Sequence, residues 1–139
     1  MCLLNLGNRA KGCFTVSQVS SGNKNRFQME IYGTKCGVMW NQERPDELWI
    51  GNRNENNQII VKDPSLLKPA AASFAELPGG HSEGYDDSHK NVFKRFYASI
   101  LDRSAEVDYP TFEDGYRMMR ILEASIDSHQ KREWVDVQY

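Results

Sequence analysis

Phe27-Gln28-Met29-Glu30-Ile31-Tyr32 is the stretch that decides the fold. Phe27, Met29 and Ile31 fall on one side of an extended chain, and Gln28, Glu30 and Tyr32 fall on the other. A helix cannot keep that period of two, so the stretch reads as a strand. Downstream, Gly33 and Gly37 bracket a short turn before Val38-Met39-Trp40, and Arg44-Pro45-Asp46 turns the chain into Leu48-Trp49-Ile50. Asn52 to Asn57 is a polar turn before Ile59-Ile60-Val61. Upstream, Cys2, Leu4 and Leu6 alternate with Leu3 and Asn5, and Gly7-Asn8 is a tight-turn signal. Cys13 to Val19 is a further strand run, followed by the polar turn Ser20 to Asn25. Turns this short leave no room for crossover helices, so the strands pair mostly antiparallel.

Asp63 to Asp86 keeps no period and holds Pro64, Pro69, Pro78 and the pair Gly79-Gly80. A short helical turn is expected around Ala70 to Ala75. Two amphipathic helices follow. Val92, Phe93, Phe96, Tyr97, Ile100 and Leu101 recur at helical spacing, with Asp86 or Asp87 as N-terminal caps. Thr111 and Asp114 form a capping-box pair for the second helix, with a weaker back-bond expected from Asp than from the usual Glu or Gln. Tyr116, Met119, Leu122 and Ile126 are its expected buried face, and Lys131 and Arg132 suit its C-terminal end. Trp134 to Val137 is expected to return as a final strand. Strands first and helices last give the α+β class: an open, mostly antiparallel sheet with helices packed on one face. The other face then displays Tyr32, Met39 and Trp49, an apolar patch suited to a second copy of the chain.

The 139 residues fit one domain. A formal net charge of -2 argues against a nucleic-acid surface. No apolar run is long enough to span a membrane, and no secretion signal opens the chain. Cys2, Cys13 and Cys36 are read as buried free thiols, which places the protein in a reducing cytoplasm.

Dinucleotide, phosphate-cradle and nucleophile-elbow motifs are absent from the sequence. His81, His89, Glu83, Asp86 and Asp87 have no metal-ligand spacing, and His89 and His129 read as surface residues. The strongest candidate is the loop Leu77-Pro78-Gly79-Gly80-His81-Ser82-Glu83-Gly84-Tyr85, which holds one imidazole on a fixed backbone. Two readings of His81 stand side by side: it braces its own loop, or it meets a polar ligand. Glu83 and Tyr85 either orient it, line the same cavity or serve as loop scaffolding. Ser21 to Arg26, with Arg26 as its strongest donor, suits hydroxyl-rich ligands but reads first as a hairpin turn. Gln42 and Glu43 pose the same question more weakly.

Four blocks carry a resemblance: Cys13 to Gly22, Trp40 to Gly51, Leu77 to Tyr85, and Tyr109-Pro110-Thr111-Phe112-Glu113-Asp114-Gly115. In that order and spacing they resemble the C-terminal domain of the glucose–fructose oxidoreductase / inositol dehydrogenase (Gfo/Idh/MocA) family. The resemblance covers nearly the whole chain. It implies an enzyme whose N-terminal Rossmann domain binds NAD or NADP. Its C-terminal domain supplies an open antiparallel sheet, part of the substrate pocket and often the dimer interface. The implied reaction is hydride transfer between nicotinamide and a carbinol carbon of a sugar or polyol. The family's glycine fingerprint, its Glu-Lys-Pro motif and the Asp and His that open its C-terminal domain have no counterpart here. On this reading the chain starts inside the family's C-terminal domain, so no catalytic or cofactor-binding residue carries over. Substrate-binding contributions remain, with His81 first and Glu83, Tyr85 and Arg26 behind it. The alternative is a stand-alone sugar-binding or scaffold domain without enzymatic activity.

Overall fold

A computed structural model describes residues 1–139 apart from Asn8 and Glu106. Six strands and three helices follow in order: β1 (Cys2–Asn5), β2 (Lys11–Phe14), β3 (Gln28–Tyr32), β4 (Cys36–Asn41), β5 (Glu47–Asn52), β6 (Gln58–Val61), α1 (Pro69–Ala72), α2 (Tyr85–Leu101) and α3 (Phe112–Lys131). All strand pairs are antiparallel, and the chain is α+β with open sheets, as its sequence predicts. The strands form two sheets rather than one: a β1-β2 pair and a four-stranded β3-β4-β5-β6 meander. The chain divides into two compact units. One contains Met1–Ser21 and Asp108–Tyr139; the other is Gly22–Val107.

In the first unit, β1 and β2 pair with Cys2 opposite Phe14 and Asn5 opposite Lys11. Gly7 turns the chain at φ 70, and Asn8, the other half of the expected turn, lies outside the described residues. The expected strand over Cys13 to Val19 stops at Phe14. Beyond it the Ser17 hydroxyl accepts from the Val19 N–H, and such local side-chain bonds compete with a ladder. The cap of α3 forms as the sequence predicts. Thr111 N donates to Asp114 Oδ2 at 2.8 Å, and Asp114 N donates to Thr111 Oγ1 at 3.3 Å. The back-bond expected to be weak is the shorter of the two. Arg132 closes the helix in the left-handed region at φ 59. Trp134 to Val137 pairs with no strand, contrary to expectation. Cys2 Sγ lies 3.5 Å from Ser125 Oγ, which ties β1 to α3.

In the second unit the register fixes the two faces of the meander. Met29, Trp40, Leu48 and Ile60 lie in one row, and Ile31, Val38 and Ile50 in the next row of the same face. Tyr32, Met39 and Trp49 share the opposite face, as the alternation predicts. Two glycines shape that face. A Cβ on Gly37 would lie 2.6 Å from Tyr32 Cδ1, and one on Gly51 would lie 2.2 Å from Trp49 Cη2. The two rings therefore lie against bare backbone at paired positions of β4 and β5.

The helical stripes exist but are not covered. Phe93 is 59% exposed and Leu122 51%, and no hydrophobic side chain among the described residues is buried. The expected buried face of α3 is thus corrected, and the apolar stripe of α2 is likewise exposed: a stripe is buried only where a second layer packs over it. The thiols are free, as expected, but Cys2 is only half-buried and Cys13 and Cys36 are exposed. No described helix is long and apolar enough to cross a membrane.

Candidate functional site

The ladder between β5 and β6 runs one residue pair past Glu47 and Val61: Lys62 N donates to the Asp46 carbonyl at 2.8 Å. That pairing sets the Lys62 and Asp46 side chains as cross-strand neighbours, with Nζ 3.5 Å from Asp46 Oδ1. The same Nζ donates to Glu83 Oε2 at 2.6 Å and to the His81 carbonyl at 3.0 Å. Glu83 Oε1 accepts from Glu76 N at 2.7 Å and Leu77 N at 3.1 Å. Glu83 N reaches Asp46 Oδ1 at 3.5 Å. The three charged side chains are 13%, 17% and 9% exposed for Lys62, Asp46 and Glu83. One ammonium and two carboxylates thus close both ends of the Glu76–Glu83 loop onto the sheet edge.

Burial raises the carboxyl of Glu83, but the Lys62 ammonium and the N–H groups of Glu76 and Leu77 pull it further down, so it stays below the ordinary range. Asp46 behaves alike: burial is outweighed by the Ser82 hydroxyl, the Glu83 N–H and Lys62. Burial lowers Lys62, and its two carboxylate partners more than offset that, so it titrates above its ordinary value. All three groups are held in their charged forms at neutral pH.

Within the loop, His81 N donates to the Pro78 carbonyl at 3.2 Å and closes a turn. Gly80, its third residue, sits at φ 80, where a side chain would be strained. The His81 ring is exposed, with Nδ1 3.4 Å from the Gly79 carbonyl oxygen, too long a contact to lock the imidazole. Tyr85 is the first residue of α2, 59% exposed, and its ring lies 4.5 Å from that of His89. Asp87 caps α2 by accepting from Gly84 N at 3.0 Å, while Asp86 makes no cap. Outside the loop, Lys90 of α2 pairs with Glu76 at 3.2 Å, and Asn91 Nδ2 donates to the Phe74 carbonyl at 3.0 Å.

Of the four candidates from sequence, His81, Glu83 and Tyr85 share this loop, and Arg26 does not join them. Arg26 donates to Gln28, which donates to Glu30, which accepts from the Tyr32 hydroxyl at 2.7 Å, a polar row along β3. Gln42 and Glu43 are turn residues: Glu43 N donates to Asn41 Oδ1 at 3.0 Å. A concavity of about 740 Å³ lies at the β5–β6 turn, lined by Arg53, Asn54, Glu55, Asn56 and Gln58, and includes no residue of the His81 loop. Among the described residues no group of His, Cys, Asp or Glu gathers as metal ligands. Sequence reasoning missed Lys62 and the role of Asp46. Their signal is a charge directly after an apolar strand run and another directly after Pro45, and neither shows its partner.

Residues 2–137 match the family described as the oxidoreductase family, C-terminal alpha/beta domain. The chain belongs to that family. This oxidoreductase C-terminal domain is 25% identical over 142 residues to the uncharacterized oxidoreductase YfiI of Bacillus subtilis (strain 168), covering 96% of this chain and 36% of that protein. It is 25% identical over 142 residues to a levoglucosan dehydrogenase of Pseudarthrobacter phenanthrenivorans, covering 99% of this chain and 35% of the relative. The domain thus spans about a third of the length of the curated relatives it matches. Among solved structures, an oxidoreductase from Sinorhizobium meliloti superposes with a TM-score of 0.79 at 32% identity, over 86% of this chain and 35% of that one. A levoglucosan dehydrogenase in complex with NADH and levoglucosan superposes with a TM-score of 0.72 at 25% identity, over 86% of this chain and 33% of that one.

Proposed function

We propose that residues 1–139 act as one substrate-binding and dimerising domain of an NAD(P)-dependent oxidoreductase that works on the CH–OH group of a sugar or polyol in the cytoplasm. The observation that carries this reading is the His81 loop. Its backbone is clamped by Lys62, Asp46 and Glu83, while its imidazole stands exposed at the tip. A neutral imidazole offers one donor and one acceptor, a match for a sugar hydroxyl. The relative solved with levoglucosan and NADH supports the substrate and cofactor classes. In this reading His81 meets a substrate hydroxyl, Tyr85 at the start of α2 lines the same edge, and Glu83 keeps the loop in place, while Arg26, which bonds Gln28 at the opposite edge of the meander, is the most distant of the four contributors. The chain binds no nicotinamide cofactor itself and oxidises no sugar alone.

His81→Ala, in an enzyme carrying this domain behind its dinucleotide-binding domain, lowers kcat/KM for the sugar by about tenfold, the cost of one lost polar contact. Unchanged kinetics would remove His81 from the site. Stoichiometric uptake of NADH by the 139-residue chain, or sugar oxidation by it alone, would overturn the whole reading.

A further inference from the structure

Lys62 has no place in the sequence reading, yet its side chain links the sheet edge directly to the residue that carries the candidate imidazole. Its ammonium touches the carbonyl of His81 itself, the carboxylate of Glu83 two residues on, and Asp46 across the ladder. Its backbone is fixed by the β5–β6 register. Glu83 passes the restraint on by accepting from the N–H groups of Glu76 and Leu77, where the loop leaves the α1 segment. Glu76 is held a second time through its side chain, which pairs with Lys90 and Lys94 of α2. The loop is therefore fixed at its start, at its histidine and at its end, and Lys62 bonds two of those three points.

We propose that Lys62 is a positioning residue for the polyol pocket, acting through His81. It rests on the reading of His81 as a substrate contact. With Lys62 in place, the carbonyl of His81 is tethered to the sheet edge, so the imidazole leaves the loop in one direction. Without it, two carboxylates are left facing each other around an unpaired carbonyl, and like charges at a partly dry site repel. The loop then opens at its histidine while the meander, whose ladder bonds are independent of the Lys62 side chain, stays formed.

The test uses the 139-residue chain, Lys62→Met, the conservative Lys62→Arg, and Glu83→Gln, read by amide hydrogen exchange, by the His81 ring resonances and by saturation transfer to levoglucosan. Lys62→Met is expected to speed exchange at the Glu76 and Leu77 amides by tenfold or more, to shift the His81 ring resonances, and to abolish transfer to levoglucosan. Exchange in β4 and β5 accelerates less than at those two amides, and Lys62→Arg restores the levoglucosan signal. Should Lys62→Met not fold, Glu83→Gln carries the same comparison, since it keeps an acceptor for both amides and loses only the charge that Lys62 grips. Unchanged exchange at Glu76 and Leu77 with an unmoved His81 ring overturns the proposal, as does acceleration at those two amides no larger than in β4 and β5. His81→Ala separates the two readings: if it leaves transfer to levoglucosan intact while Lys62→Met still frees the loop, the pocket reading fails and the tether stands.

Discussion

Lys62 Nζ and Glu83 Oε2 are 2.6 Å apart, joining the residue after β6 to the residue before the N-cap of α2. Both side chains are largely withdrawn from water, at 13% and 9% exposure. Truncating Glu83 leaves the Glu76 and Leu77 N–H groups without their acceptor and leaves the Lys62 ammonium with only Asp46 and the His81 carbonyl. Glu83→Ala should therefore cost about 2 kcal/mol, below the full range for a dry ion pair because water still reaches the cluster. Urea unfolding followed by circular dichroism measures it, and a loss under a few tenths of a kcal/mol would mean the pair is idle.

Acid should weaken the unit that holds this cluster. Asp46 and Glu83 titrate below their ordinary carboxyl values in the folded chain. A depressed folded pKa contributes stability that is complete above the unfolded value, about 4, and is lost as pH falls through the folded value. The urea midpoint should hold from neutral pH to about 5 and drop below 4, with a shallower drop in Glu83→Gln. Lys62 is raised above 10.5, so its contribution is present below that value and is lost on further alkalinisation. A midpoint flat from pH 7 to 3 would contradict the first half of this.

Gly51 should be readable through Trp49. A methyl at Gly51 collides with the indole at 2.2 Å, and the colliding atoms are the far end of the ring. The ring can swing away, and Ala is the better strand residue, so Gly51→Ala should change stability by less than about 1 kcal/mol. In a Trp40→Phe, Trp134→Phe background its emission should shift to the red as the indole leaves the backbone. Emission identical to that of the parent would show that the ring does not rest there.

Thr111→Ala removes the acceptor for Asp114 N and the hydroxyl that donates to Asp114 Oδ2 at 2.7 Å. The expected loss is about 1 kcal/mol of stability, seen as lower helix content on thermal melting. Thr111→Ser should retain most of it.

The open face of the meander should self-associate. Tyr32 is 70% exposed and Ile59 and Val61 are 61% and 59% exposed on that face. Light scattering at micromolar concentration should report a dimer, and Ile59→Lys should return it to a monomer. A monomeric parent would leave the face to some other cover.

Much of this was legible because it is local. The period of two at Phe27 to Tyr32 and the turns on either side dictate a meander whatever surrounds it, and the register puts Tyr32, Met39 and Trp49 on one face as the alternation requires. The Thr111 cap needs three residues of spacing and nothing else. Errors arise where the outcome depends on something distant. Val16 and Val19 look like strand residues, but a strand needs a partner, and Ser17 bonds its own neighbourhood first. The stripes of α2 and α3 show which side is apolar, not whether anything lies upon it.

The candidate site divides the same way. A histidine on a glycine-bearing turn is written in Pro78 to His81, because proline and a positive φ at Gly80 act within four residues. Which charges hold that turn is not written there. Asp46, Lys62 and Glu83 stand 16 and 21 residues apart in the chain, and only the pairing of β5 with β6 brings the first two together. The amino-acid order alone determined the strands of the meander, the Thr111 cap and the shape of the histidine turn, since backbone sterics and nearest-neighbour bonds act over a few residues. The tertiary structure alone decided that Glu83 is a brace and Lys62 its anchor, since an ion pair forms by proximity in space and sequence distance carries no record of it.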